Sequence, residues 1–213
     1  MGIVSAALQL MRSRQDFFLK LLGEHLWISF TAIFIATVLG LVIGILVSEF
    51  RLISKPSIGL INLLYTIPSI SLLGFLIPFS GIGNTTAIIA LTIYALLPMV
   101  RNTYTGITTV SPVMVQAAVA MGSTRWQVLL RIRLPLALPV IVAGIRNMTV
   151  MTLALSGVAS FIGAGGLGVA VYRGITTNNK AMTLAGSMLI ALLAVTADFL
   201  IGIVEKSVKK HRT

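Results

Sequence analysis

The segment PSIGLINLLYTIPSISLLGFLIPFSGIGNTTAIIALTIYALLPMV, running from Pro56 to Val100, contains no Asp, Glu, Lys or Arg. It is long enough for two helical spans at roughly 20 residues each, and a soluble core has no need of such a run. Leu26 to Ser48 is likewise uncharged. It is too long for the apolar region of a secretory signal, and no small-residue cleavage pattern follows, so it reads as a retained span. The whole chain of 213 residues is 57% hydrophobic and 10% charged, whereas about a quarter of a soluble domain is charged.

Working outward, Met1 to Lys20 interleaves Arg12, Arg14 and Lys20 with Leu8, Leu10, Phe17 and Phe18, the pattern of a short amphipathic, interfacial helix. The first transmembrane helix is expected at about 26–47, stopping at Glu49, Arg51 and Lys55, with Pro56 able to open the next helix. Helix two is expected over about 58–79. Ser80-Gly81-Ile82-Gly83-Asn84 reads as a turn, and helix three follows from about Thr85 to Val100. Helix four begins near Leu134 to Leu138 and ends before Gly163. Helix five covers about 181–204, followed by the basic tail Lys206, Lys209, Lys210 and Arg212. The expected fold is an all-α polytopic membrane bundle with five transmembrane helices and an N-terminal amphipathic helix, forming one domain over 1–213.

Five spans place the termini on opposite sides, and basic residues choose the sides by the positive-inside rule. With the C-terminus cytoplasmic, Arg51, Lys55, Arg101, Arg125, Arg131, Arg133 and the four tail residues face inward, ten in all. Five, Arg12, Arg14, Lys20, Arg173 and Lys180, then face outward with the N-terminus. Membrane lipid therefore surrounds the chain. The 16 Lys and Arg against 5 Asp and Glu flank apolar segments without forming a stripe, which excludes a nucleic-acid partner.

The long connection from Arg101 to Arg133 has a definite shape. Ser111-Pro112 is a helix start with a capping side chain and Pro at the first helical position, and Val113, Ala117, Ala120 and Met121 fall on one face. Gly122 stops this helix. Thr124 with Gln127 three residues on fits a capping box, so a second helix restarts at once. The result is two helices joined by a glycine elbow, a pattern that is also common as an ordinary helical connection.

Gln116-Ala117-Ala118, Gly122 and Ile132-Arg133-Leu134-Pro135 resemble the EAA loop of permeases in binding-protein-dependent ABC importers. Thr66-Ile67-Pro68-Ser69, Gly81-Ile82-Gly83, Leu97 to Thr103 and Phe161 to Gly168 resemble permeases that import glycine betaine, carnitine or choline. Methionine-type importers share the glycine run. The resemblance covers about Leu26 to Glu205 and implies a type I ABC importer permease with its transmembrane core over 22–204.

It also implies that the elbow is a cytoplasmic coupling helix, with Gln116, Ala117, Ala118, Gly122, Ser123, Thr124, Leu134 and Pro135 as the ATPase-coupling residues. Gln116 stands where the motif's Glu is usual, leaving an amide where the family has a carboxylate. The implied partners are a cytoplasmic ATPase subunit, an extracytoplasmic solute-binding protein and a second permease subunit, identical or related. ATP and Mg²⁺ belong to the ATPase, and this chain carries no cofactor of its own. The membrane is the bacterial cytoplasmic membrane.

A charged or zwitterionic solute cannot cross hydrocarbon bare, so a lined path is needed, and five helices are too few to enclose one alone. Pro68 can break its helix, Thr66, Ser69 and Ser71 put hydroxyls beside that break, and these four residues are the pathway candidates. Pro78 reads as static packing. Gly163, Gly165, Gly166 and Gly168 are either an outer gate or a flexible loop. Arg146 and Asp198 are the charges expected at membrane depth, paired with each other or snorkelling. Tyr65, Tyr94, Tyr104 and Tyr172 are either cation–π partners or interfacial-belt residues.

Other classes fit poorly. A secondary transporter needs coupling-ion carboxylates at mid-membrane, for which only Asp198 is a candidate. An enzyme needs a convergent nucleophile, base or metal set. With no Cys and two His, His25 and His211, neither that set nor a metal site is expected. The absence of a GxxxxGK[ST] loop places ATP hydrolysis on another chain.

Overall fold

The computed structural model describes residues 2–210, except for the side chain of Arg51. Met1, His211 and Arg212 therefore lie outside the described residues. Regular structure among the described residues is helical throughout. The amphipathic lead-in is α1 (Ile3–Ser13), shorter than the sequence suggests. The chain turns at Arg14 and then forms α2 (Gln15–Glu49), a single helix of 35 residues and about 50 Å. Residues 15–25 join the span because Phe18, Leu21 and His25 bury themselves against the rest of the bundle.

The second expected span is broken. α3 (Arg51–Tyr65) and α4 (Ser69–Ser80) meet at 98°. Pro68, which has no backbone N–H, sits at the break as the N-cap of α4. The freed Ile67 carbonyl accepts a hydrogen bond from the Tyr94 hydroxyl of the next helix, and Thr66 Oγ1 donates to the Leu63 carbonyl at 2.7 Å. A break at membrane depth persists only where its backbone groups are met in this way.

The third span, α5 (Asn84–Thr108), continues about two turns past Arg101, where the sequence reading stopped it. It is followed by α6 (Pro112–Ala120) and α7 (Arg125–Val128). A π-helical turn at Leu129–Arg133 joins α7 to α8 (Leu134–Ser156). A 3₁₀ turn at Val158–Ile162 and the glycine run lead into α9 (Gly168–Thr176), and α10 (Lys180–Lys210) ends the chain. α9 has no counterpart in the sequence reading.

Glycine contacts fix the helix directions. Gly40 and Gly44 of α2 lie against Met99 and Thr103 of α5, so these two helices run parallel. Gly106 against Ala137 and Gly144 against Asn102 make α8 antiparallel to α5. Gly157 against Ile190 and Gly202 against Arg146 make α10 antiparallel to α8. α2 thus ends at the elbow end of the bundle and α5 starts at the opposite end. The bent pair α3–α4 must carry the chain across, so it acts as one broken crossing beside the four long apolar helices.

Helices in lipid gain little from hydrophobic burial against one another and associate through close packing of small residues. Ala32, Ala36, Gly40 and Gly44 supply that strip on α2. A Cβ at Gly44 would lie 2.5 Å from Thr103 Cβ and 3.1 Å from the Val100 carbonyl, leaving no room for a side chain. Gly44→Leu should therefore destabilise the bundle by about 1–3 kcal/mol, the usual range for overpacking. The check is thermal unfolding of the purified protein in detergent, with the exposed Gly23→Leu, where a Cβ meets nothing within 4 Å, as the neutral comparison. The opposite face of α10 exposes Leu192, Val195, Phe199, Leu200 and Ile203, a surface suited to lipid.

Candidate functional site

Three features bring polar or exposed apolar groups together: the elbow, the glycine loop at the other end, and a cavity between them.

The elbow is built by two complementary caps. Gly122 has φ +84°, which glycine adopts without strain. Its N–H donates to the Val119 carbonyl, and Ser123 N–H donates to the Ala118 carbonyl at 3.0 Å, the double closure of a Schellman ending. Thr124 then starts α7: its hydroxyl accepts from Gln127 N–H at 3.3 Å, and its own N–H donates to Gln127 Oε1 at 2.8 Å. The helix does begin at Pro112, but the Ser111 side chain makes no capping bond. Gln116 and Ala117 are exposed and Ala118 is buried, while Leu134 and Pro135 are half-buried at the start of α8.

No atom lies within 4 Å of the Cβ position at Gly122, so the tip points into open space. Val113, Met121 and Trp126 are 73%, 82% and 60% exposed. Exposed apolar clusters of this kind mark surfaces that a partner or a membrane covers.

Behind the elbow sits Glu49, the last residue of α2. Its carboxylate accepts from Arg125 Nε at 2.6 Å and from Arg133 at 3.0 Å. Arg125 also donates to the Glu49 carbonyl and lies 5.5 Å from the centre of the Phe50 ring. In the sequence Glu49 marks only the end of a span. Nothing in the local pattern reveals that two arginines return to it 76 and 84 residues later.

At the other end, the glycine loop is pinned. Gly165 N–H donates to Asn84 Oδ1 at 2.9 Å, and Gly166 N–H donates to Glu24 Oε2 at 3.1 Å. Gly163 and Gly166 have φ of +74° and +95°. A Cβ at Gly168 would collide with the Gly157 carbonyl. Beneath it, fully buried His25 meets the Leu153 carbonyl at 3.1 Å and Ser156 Oγ at 2.8 Å, and Ser29 donates to Ser156 at 3.0 Å. These partners come from α2, α5 and α8, so the loop is a fixed cover over that end.

The cavity, about 690 Å³, opens between α3, α5, α8 and α10 and is lined by Asn62, Tyr65, Arg101, Asn102, Asn147 and Asp198. Thr66, Pro68 and Ser69 lie at the helix break and do not line it, and Ser71 lines a separate apolar recess with Leu72 and Phe75. The asparagines sit on three different helices, α3, α5 and α8, and only the packing brings them together around one cavity.

Asp198 also belongs to a charge network. Arg146 donates from Nε and one terminal nitrogen to the two Asp198 oxygens, both at 2.6 Å, and from the other terminal nitrogen to Glu205 at 3.1 Å. Lys209 reaches the second Glu205 oxygen at 2.6 Å. Two acids and two bases thus neutralise each other along the α8–α10 contact. No group of three or more His, Asp or Glu among the described residues could hold a metal ion.

Residues 7–210 match the family described as binding-protein-dependent transport system inner membrane component. The chain belongs to that family. This permease is 40% identical over 195 residues to the choline transport system permease protein OpuBD of Bacillus subtilis, spanning 90% of this chain and 86% of that one. It is also 40% identical over 183 residues to the osmoprotectant import permease protein OsmW of Salmonella typhimurium, spanning 84% and 85%. The fold matches the permease of the MetNI methionine ABC transporter in an inward-facing conformation, with TM-score 0.83, 25% identity and 91% and 97% coverage. The alginate ABC transporter shares the fold at TM-score 0.74 and 14% identity, over 92% and 81%. The permease is thus a multi-pass inner-membrane component with the type I importer fold, and its family role is transport.

Proposed function

We propose that this permease, as a single membrane domain, forms part of an ABC importer for a quaternary-amine osmoprotectant such as glycine betaine, carnitine or choline. The elbow carries the importer part of this reading. A glycine tip with nothing around it, flanked by exposed Val113, Met121 and Trp126, fits a cleft on a cytoplasmic ATPase that binds ATP and Mg²⁺. Gln116, Ala117, Ser123 and Thr124 lie on that contact, and Ala118, Leu134 and Pro135 support it. The solute class rests on relatives that are 40% identical over most of their length.

Orientation follows from charge. The elbow end carries Arg125, Arg131, Arg133, Lys206, Lys209 and Lys210, and by the positive-inside rule this supports a cytoplasmic elbow and C-terminus with the N-terminus outside. The pinned glycine loop then faces outward, where an extracytoplasmic solute-binding protein delivers cargo. The cavity is open on one side, and a second permease subunit closes it into a path. The break at Thr66, Pro68 and Ser69 supports that wall by holding α3 against the cavity.

The test is co-reconstitution in liposomes with candidate ATPases and solute-binding proteins. ATP hydrolysis is expected to rise with one of the quaternary amines and not with methionine. Stimulation by methionine would favour the amino-acid reading that the fold match to a methionine transporter raises, and hydrolysis indifferent to every solute with every partner would sink the importer reading.

A further inference from the structure

Glu49 is the best-enclosed charge near the elbow among the described side chains, 6% exposed, whereas Arg125 is 61% exposed. A carboxylate that close to full burial is held only where its oxygens are met, and here both partners come from the far side of the elbow. Arg125 is the first residue of α7, and Arg133 closes the π-helical turn that joins α7 to α8. π turns interrupt the regular ladder and recur at functional sites. Glu49 therefore ties the end of α2 to both ends of the α7 and π-turn segment that follows the elbow.

The connection extends further. Phe50 is the single residue between α2 and α3, and α3 carries Asn62 and Tyr65 to the cavity wall. A force that displaces the elbow therefore reaches α3 through one junction, where Arg125 also covers the Phe50 ring.

We propose that Glu49 is a positioning residue for energy coupling, clamping Arg125 and Arg133 so that motion of the elbow moves the α2–α3 junction and with it the cavity wall. The clamp rests on the importer reading. It assigns to Glu49 a role that neither the elbow pattern nor the cavity lining contains.

The experiment measures solute uptake and ATP hydrolysis together in liposomes holding the full chain, the ATPase and the solute-binding protein. In Glu49→Gln the amide cannot pair both guanidinium groups, and uptake per ATP hydrolysed should fall about 2- to 30-fold, the range for residues that carry coupling. Glu49→Gln combined with Arg133→Gln should lose no more than the single variant, since both remove the same contact. Arg125→Gln, at an exposed side chain and with Arg133 still meeting one Glu49 oxygen, should lower the same ratio. A stabilising role alone would reduce the amount of assembled complex and leave the ratio intact. Unchanged ratios in assembled Glu49→Gln and Arg125→Gln complexes, or losses that simply add, would overturn the clamp. Wild-type complexes showing no solute-stimulated hydrolysis would instead count against the importer reading itself.

Discussion

Gly122→Arg should leave the chain inserted and folded yet lower solute-stimulated ATP hydrolysis by at least about 30-fold, the ~2 kcal/mol of a central interface residue. Two effects act together at this position. The backbone at φ +84° costs a side-chain-bearing residue about 1–2 kcal/mol. The space around the Cβ position is empty in the isolated chain, so the bulk of Arg becomes costly only when another surface must approach the tip.

Gly122→Asn separates these effects, because Asn tolerates the left-handed region and is short. With Asn, hydrolysis should remain within a few-fold of wild type while Arg causes the large loss. Equal losses in both would assign the tip's importance to turn geometry, and full activity with Arg would remove the elbow from the ATPase contact. Assembly with the ATPase, followed by size-exclusion chromatography in detergent, reads the docking step directly.

How much of this was legible in sequence depends on the range of the interaction. The elbow was readable because its determinants are local: Pro112 at a helix start, Gly122 at a C-terminal cap, and Thr124 with Gln127 in a capping box. The spans were readable because a lipid-facing helix must be apolar along its length. Pro68 and the nearby hydroxyls flagged a break, but its 98° angle needs Tyr94 to reach Ile67 from another helix. α9 was hidden by the glycine run before it, which reads as loop until Asn84 and Glu24 supply its anchors. Glu49 and the cavity asparagines were invisible as a group because their partners lie on helices that meet only after packing.

Arg146→Gln should lower the yield of folded, monodisperse protein several-fold, a larger loss than Asp198→Asn produces. Asp198 lies 12 residues before the end of α10 and 18 after its start, near the middle of a helix long and apolar enough to cross a membrane. Removing Arg146 strips both of its hydrogen-bonded oxygens and leaves Glu205 with Lys209 alone. An intramembrane carboxylate without a partner is among the costliest groups a span can carry. Asp198→Asn instead leaves Arg146 bonded to Glu205 at 3.1 Å, so the guanidinium keeps an anion.

The double variant Arg146→Gln with Asp198→Asn should recover part of the single variant's loss, because no orphaned charge remains at Asp198. If the double variant is worse than Arg146→Gln, the pair contributes something beyond mutual neutralisation. Asp198 also lines the cavity, so its protonation is a competing role with its own signature. A proton relay there would make wild-type uptake collapse when the proton gradient is discharged at constant ATP, and Asp198→Asn would remove that sensitivity. Uptake indifferent to the gradient in both proteins is the expected result, because both oxygens of Asp198 are already committed to a permanent cation on the neighbouring helix.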